Sequence, residues 1–137
     1  MILIDTQALV WLVEANSRLG IKAKIIIEEE RAGGGVMIAP ISVWEASMLV
    51  DKDKISLSRP VREWFEAVLA VPGFGLADMT VAIGADAGSL PGDIHGDPAD
   101  RIIIATARAL GCPVLTADRK ILAYAAVGHL QAVDARR

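Results

Sequence analysis

The sequence is poor in several residue types, and each shortage excludes a class of protein. A single cysteine, Cys112, excludes an internal disulfide and therefore a small disulfide-stabilised scaffold. No apolar run approaches the roughly 18 residues that a membrane span needs. The formal net charge is −3, which argues against a protein that binds nucleic acid by positive charge alone. No basic segment precedes an apolar run at the amino terminus, so we expect no signal peptide and a cytoplasmic protein.

Aromatic residues are also scarce, at 4% of the chain, although 53% of the residues are hydrophobic. The core must therefore consist mainly of Ile, Val, Leu and Ala, which suits helices packed on a buried parallel sheet. The length of 137 residues fits one domain, and we expect residues 1–137 to form it. Trp11, Trp44 and Trp64 lie in apolar helical stretches and are predicted to be core or interface residues.

Short apolar runs alternate with helical patterns along the chain. The predicted order is β-α-α-β-α-α-β-α-α-β-α-β, which indicates an α/β domain with a mostly parallel sheet and helices on both faces. Five helix starts have a polar residue that is typical of an N-cap, namely Ser17, Ser42, Thr80, Asp97 and Asp118. Ser42 and Glu45 have the spacing of a capping box. Asp97 and Pro98 open a helix that is predicted to run to Leu110.

Four carboxylates, the acidic quartet, fall at predicted strand-to-helix junctions: Asp5, Glu45, Asp100 and Asp118. The carboxyl ends of parallel strands share one edge of a sheet, and ligands bind there where the strand order reverses. Two like charges about 4 Å apart cost about 4 kcal/mol at an effective dielectric constant of 20, so protons or divalent cations must neutralise such a group. Carboxylate ligands suit magnesium or manganese, which can polarise a phosphodiester and activate water.

Each acid also has a purely structural interpretation. Glu45 can be the second half of the capping box, and Asp100 can be a first-turn acid favoured by the helix dipole. Asp118 can be an N-cap and Asp5 a turn residue, while Asp97 is predicted to be an N-cap rather than a metal ligand. The metal-site interpretation therefore depends on several acids meeting at one predicted edge.

The ordered motifs around these acids resemble those of the PIN-domain family, and within it the VapC-type toxins. No single motif is specific, but the resemblance covers essentially the whole chain. It rests on Leu3-Ile4-Asp5-Thr6 with Trp11 following, on Ile41-Ser42-Val43-Trp44-Glu45, on His95-Gly96-Asp97-Pro98-Ala99-Asp100-Arg101 leading into Ile104-Ala105-Thr106-Ala107, and on Leu115-Thr116-Ala117-Asp118. One position departs from the family pattern, because Gln7 stands where related chains often have a titratable histidine.

The resemblance implies a three-layer α/β/α sandwich and a magnesium- or manganese-dependent endoribonuclease, the toxin of a VapBC-type toxin–antitoxin pair. It implies that the acidic quartet is catalytic and holds the metal, and that metal-activated water hydrolyses the RNA phosphodiester. Thr116 resembles the hydroxyl residue that supports the quartet, and Asp97 would be a nearby acid behind the ligands. The implied partners are RNA, a cognate VapB-like antitoxin and a second copy of the chain.

RNA must also be held by cations of the protein. Arg101 and Arg119 each follow an acid of the quartet and are the predicted phosphate contacts, unless they pair with those acids and only orient them. A second group of basic residues is better explained as a solvated helix face: Lys52, Lys54, Arg59 and Arg62. His95, in the loop before the third acid, is either an acid or RNA contact or a structural hydrogen-bonding residue.

Two other functions compete with the nuclease interpretation. A PIN-like fold can be a non-catalytic protein-binding module, which metal-dependent loss of RNA would distinguish from an enzyme. A receiver-like or phosphatase domain would use Asp5, but Asp5-Thr6-Gln7 lacks the second Asp of a phosphoaspartate hydrolase, and no lysine ends the late strands. The apolar stretches 10–13 and 44–50 are predicted to supply a dimer face or an antitoxin groove.

Overall fold

The computed structural model describes residues 1–94 and 96–137, in which a five-stranded parallel sheet lies between layers of helices. The strands are β1 (Ile2–Ile4), β2 (Val36–Ile38), β3 (Phe74–Leu76), β4 (Val114–Thr116) and β5 (Ala132–Asp134). The helices of this part of the chain are α1 (Thr6–Val13), α2 (Ile21–Ala32), α3 (Ile41–Asp51), α4 (Val61–Leu69), α5 (Val81–Gly88), α6 (Pro98–Leu110) and α7 (Arg119–Ala126). The order along the chain is the predicted one. The hypotheses about His95 lie outside the described residues.

The sheet has the strand order β3-β2-β1-β4-β5. The chain moves outward from β1 to β3 and then returns to place β4 on the other side of β1. Leu3 pairs with Val114 and Ile4 with Leu115, and the Asp5 amide donates to the Leu115 carbonyl (3.0 Å). The strand order therefore reverses between β1 and β4, which is where a parallel sheet opens a crevice at its carboxyl edge.

The central strand β1 is buried on both faces. Ile2 and Ile4 belong to a core with α1, α2 and α4, whereas Leu3 belongs to a core with α5, α6 and α7. This alternation follows from the two-residue period of a strand and accounts for the continuous apolar run. Trp64 lies in the first core as predicted, and 53% of Trp44 is exposed, which leaves only the interface interpretation for that residue. None of the described helices is long and apolar enough to cross a membrane.

Three of the predicted N-caps are confirmed, because each side chain accepts a hydrogen bond from the first turn of its helix. Thr80 accepts from the Ile83 amide at the start of α5, and Asp97 and Asp118 do the same for α6 and α7. The predicted stop of α6 is also confirmed, since Gly111 has the left-handed conformation that a glycine permits at a helix end.

Two predicted caps are wrong. Helix α2 begins at Ile21, after Gly20 and without a side-chain cap, so Ser17 lies outside it. Helix α3 begins before Ser42, because Pro40 already has helical backbone angles (φ −55°, ψ −32°) and starts the turn. Ser42 is consequently inside the helix and fully buried, where its hydroxyl shares a hydrogen bond with Thr6 Oγ1 (2.9 Å). Ser42 therefore forms no capping box, and Glu45 is free of that structural role.

Candidate active site

The Thr116 hydroxyl links the ends of β1 and β4. Asp5 directly follows β1 and caps α1, with Oδ1 accepting from the Ala8 amide (2.8 Å). Its other oxygen, Oδ2, accepts a hydrogen bond from Thr116 Oγ1. Thr116 Oγ1 in turn accepts from the Asp118 amide (3.0 Å). One buried hydroxyl therefore fixes the Asp5 carboxylate and the backbone that carries Asp118.

Two further helices begin at the same edge of the sheet. Asp118 Oδ1 accepts from the Lys120 and Ile121 amides (2.8 and 3.0 Å) at the start of α7. Asp97 Oδ1 accepts from the Asp100 amide (3.0 Å) at the start of α6. The amino-terminal ends of helices carry partial positive charge, so α1, α6 and α7 favour the acids at their first residues.

All four acids of the quartet line a single pocket of about 320 Å³. We call it the acidic pocket, and its lining comprises Asp5, Thr6, Gln7, Trp11, Glu45, Leu49, Asp100, Ile103, Ala117, Asp118 and Arg136. The expectation that these four distant carboxylates meet at one edge of the sheet therefore holds.

Three carboxylates lie close enough together to hold one cation. Glu45, Asp97 and Asp100 each offer an oxygen, and these oxygens lie within 4.8 Å of one another. Asp97, expected to act from behind the ligands, thus caps α6 and also stands beside two acids of the quartet. A site made only of carboxylate oxygens fits a hard divalent cation.

Burial and mutual repulsion raise the pKa values of carboxyl groups in the acidic pocket. Burial raises the pKa of Asp5 from 3.8 to about 6, against the hydrogen bonds from Thr116 and Ala8, and the charges of Glu45 and Asp118 raise it further. Burial also raises the pKa of Asp100 to about 7, with added repulsion from other acids, the strongest being Asp118. The pocket therefore stores electrostatic repulsion that a bound cation relieves.

Glu45 experiences the same environment to a smaller degree. Burial is again the main cause that raises the pKa of its carboxyl, followed by repulsion from Asp97 and Asp118. A hydrogen bond with the Thr6 side chain opposes this rise. Glu45 reaches the pocket from α3 rather than from a strand end.

The two arginines predicted to meet phosphate occupy different places. Arg101 Nε donates to the Ala87 carbonyl (2.8 Å) and Nη1 to the Ile94 carbonyl (3.4 Å), so its guanidinium holds α5 and the following loop. It does not line the acidic pocket. Arg119 is exposed and lines a neighbouring cavity of about 370 Å³, which Asp97 and Asp100 also line. A phosphate contact by Arg119 stays a prediction.

Sequence reasoning missed Arg136, which lines the acidic pocket from the end of the chain. It lies two residues after β5, at the same edge of the sheet as the acids. The rule that selected the acids, a charged residue just after a predicted strand, also applies to this arginine. Applying that rule to basic residues would have found it.

Comparisons with known proteins agree with this geometry. The sequence profile of the PIN domain matches residues 2–127. The chain is 30% identical to Ribonuclease VapC22 of Mycobacterium tuberculosis over 123 residues, which cover 90% of this chain and 91% of that protein.

Solved structures share the fold. VapBC2 from Rickettsia felis, bound to a DNA fragment from its promoter, aligns with a TM-score of 0.70 at 16% identity and covers 97% of this chain and 98% of that one. A toxin–antitoxin complex from Klebsiella pneumoniae aligns with a TM-score of 0.64 at 18% identity, covering 98% and 97%.

Proposed function

This chain belongs to the PIN-domain family, and we propose on that basis that it is a divalent-metal-dependent endoribonuclease. In this proposal it is the toxin of a VapBC-type toxin–antitoxin pair. The similarity to Ribonuclease VapC22 supports the assignment. The observation that carries it is the meeting of the acidic quartet in one pocket, where the strand order reverses.

We assign the metal ligands to Asp5, Glu45, Asp100 and Asp118, and we add Asp97 as a further candidate. The closeness of the Glu45, Asp97 and Asp100 oxygens supports this set. Magnesium or manganese suits a site of carboxylates only. When bound, such an ion polarises a phosphodiester and makes water a better nucleophile.

The chain's own residues then have separate tasks. Thr116 holds the Asp5 carboxylate in one orientation through its hydroxyl, as supporting residues do for metal ligands. A carboxylate of the pocket that does not hold the cation would accept the proton of the attacking water.

An apolar groove on another part of the surface suits the antitoxin. This groove, of about 500 Å³, lies between α1, α2, α4 and β3 and includes Leu12, Val13, Val68 and Val71. Arg31 also lines it, and the Arg31 Nε is buried without a hydrogen-bond partner among the described residues. That nitrogen is closed off from solvent, so a bound antitoxin segment would contact the apolar side chains of the groove rather than this donor.

One of the two apolar stretches predicted to form an interface contributes residues to this groove. Leu12 and Val13 line it, whereas Trp44, from the other stretch, is exposed on α3. A homodimer that covers Trp44 stays a prediction. We also propose that the protein acts in the cytoplasm, where RNA is available to a toxin of this type.

The test of the ribonuclease proposal is cleavage of structured RNA by the purified chain, with manganese, with magnesium and with chelator. We expect cleavage with either metal and none with chelator. Asp100→Asn should lower the rate about 100-fold or more, because it removes a proposed metal ligand. Asp51→Asn, an exposed carboxylate on α3, is the matched control and should cleave at the parent rate.

Two results would overturn the proposal. Cleavage that persists in chelator would show a different mechanism or a contaminating nuclease. A folded protein without metal-dependent cleavage on any RNA would favour the non-catalytic protein-binding module instead.

A further inference from the structure

Arg136 is the only cation among the described residues that line the acidic pocket. Its position follows from the sheet, because β5 pairs with β4 and ends at the same edge. The Arg136 amide donates to Asp134 Oδ1 (3.0 Å), which fixes the backbone just after β5. The side chain then extends toward the end of β4, where Thr116 and Asp118 lie.

Neutral groups hold the guanidinium in place. Arg136 Nη1 donates to the Ala117 carbonyl, between Thr116 and Asp118 in the chain. The guanidinium carbon lies 5.8 Å from the centre of the Trp11 ring, and Trp11 is itself a buried wall of the pocket. A carbonyl and an aromatic ring orient the group without neutralising its charge.

This charge has no ion-pair partner among the residues that the structure describes. The ion pairs found in the described part of the chain do not include Arg136. The residue is also exposed to solvent, so an approaching ligand can reach it. One nitrogen is engaged by Ala117, and the remaining N–H groups of the planar fork are available for a bidentate acceptor.

We propose that Arg136 is a phosphate-binding residue that holds the RNA backbone at the acidic pocket. The proposal rests on the ribonuclease function proposed above. A pocket of carboxylates repels a polyanion, and a fixed cation at its rim offsets this repulsion where the strand must enter. The arginine fork matches the geometry of a phosphate better than the point charge of lysine does. This role was expected of Arg101, whose guanidinium is instead used to hold α5.

The experiment compares Arg136→Gln with Arg137→Gln, which removes the neighbouring exposed arginine. Both are made in the Asp100→Asn background, so that binding of a fluorescent single-stranded oligouridine can be followed by anisotropy without cleavage. We expect Arg136→Gln to weaken binding about 10-fold at low salt. The slope of log K against log salt should become shallower by about 0.7, the value for one phosphate contact on a single strand. Arg137→Gln should change neither quantity.

The same substitutions in the otherwise unaltered chain give a second readout. Arg136→Gln should raise the KM for RNA more than it lowers kcat, and Arg136→Lys should restore part of the affinity. Thermal unfolding of each variant separates a phosphate contact from a structural one, because a loss of fold would lower kcat and stability together. An unchanged salt slope in Arg136→Gln, with a parent protein that cleaves RNA, would overturn the Arg136 proposal alone. A parent that binds through Arg136 but never cleaves RNA would overturn the ribonuclease proposal and leave the Arg136 proposal standing.

Discussion

Single residues of the acidic pocket reduce the stability of the metal-free protein. Asp5 is 5% exposed and is the N-cap of α1, yet its pKa is raised to about 6 because burial outweighs its two hydrogen bonds. A carboxyl whose pKa is raised on folding stabilises the protein below its unfolded pKa of 3.8. That contribution is lost as the pH rises through the folded pKa. The change from 3.8 to about 6 corresponds to about 3 kcal/mol.

Asp5→Asn should therefore stabilise the metal-free protein at alkaline pH. The introduced asparagine side chain stays neutral, keeps an oxygen for the Ala8 amide and can donate to Thr116 Oγ1. In chelator at about pH 8 we expect the free energy of unfolding to exceed that of the parent by up to about 3 kcal/mol. The difference should shrink as the pH falls to about 4, where Asp5 is protonated in the parent. Urea unfolding at a series of pH values measures it.

The same variant should respond differently to metal. Manganese should stabilise the parent strongly and Asp5→Asn weakly, because binding to the folded state is added to its stability. Asp51→Asn, the surface control, should follow the parent in both conditions. A stability difference that does not depend on pH would contradict the assigned cause of the raised pKa.

At the scale of elements, the helix starts combine structural and chemical roles. Asp97 caps α6 through the Asp100 amide, and its carboxylate also lies beside Glu45 and Asp100. Asn caps a helix as well as Asp does but carries no charge. Ala neither caps the helix nor binds a cation. Substitutions at this position therefore separate helix capping from cation binding.

Asp97→Asn should keep the stability of the parent within about 0.5 kcal/mol and weaken manganese binding about 10-fold. Asp97→Ala should weaken manganese binding equally and also lose about 1 kcal/mol of unfolding free energy. Thr80→Ala, which removes the cap of α5, should lose stability only. Calorimetric titration with manganese measures the affinity for the ion, and urea unfolding measures the free energy of unfolding. Parent-like manganese affinity in Asp97→Asn would mean that Asp97 is only a cap.

The order of elements could be predicted because strong local signals agreed with the hydrophobic pattern. Asp97-Pro98 and Gly111 delimit α6 by capping chemistry alone, and the apolar run of β1 indicated a strand buried on both faces. Ser42 shows the limit of local signals. Its spacing to Glu45 satisfies a capping box, but Pro40 starts the helix earlier, and the Ser42 hydroxyl instead accepts a hydrogen bond from Thr6 on α1.

The acidic quartet could be predicted from the sequence, whereas the contacts of the arginines around it could not. Asp5, Asp100 and Asp118 follow a strand or lie at a helix start, so the topology of a parallel sheet brings them together, and Glu45 joins them from the second turn of α3. The orientation of Arg101 depends on the carbonyls of Ala87 and Ile94, which only the folded α5 and its following loop present to it. The strand-end rule would have selected Arg136, but its contact with Ala117 depends on β5 lying beside β4, a pairing that periodicity does not specify.

For the molecule as a whole, α1 connects the two functional surfaces. Trp11 forms a wall of the acidic pocket, while Leu12 and Val13 of the same helix line the apolar groove. The amino-terminal end of α1 is capped by Asp5, an acid of the quartet. A segment bound in the groove would therefore pack against the helix that Asp5 caps.

A charged residue placed in the groove should separate antitoxin binding from catalysis. Val71 is 38% exposed at the groove, so Val71→Asp should fold while adding a charge that an apolar segment cannot solvate. We expect a cognate antitoxin to bind at least about 10-fold more weakly, because a buried unpaired charge costs more than about 1.4 kcal/mol. RNA cleavage by the variant should continue at antitoxin concentrations that stop the parent. Val127→Asp places the same charge at a valine that is 70% exposed at the end of α7, and it should remain fully inhibited. Equal inhibition of both variants would place the antitoxin on another surface.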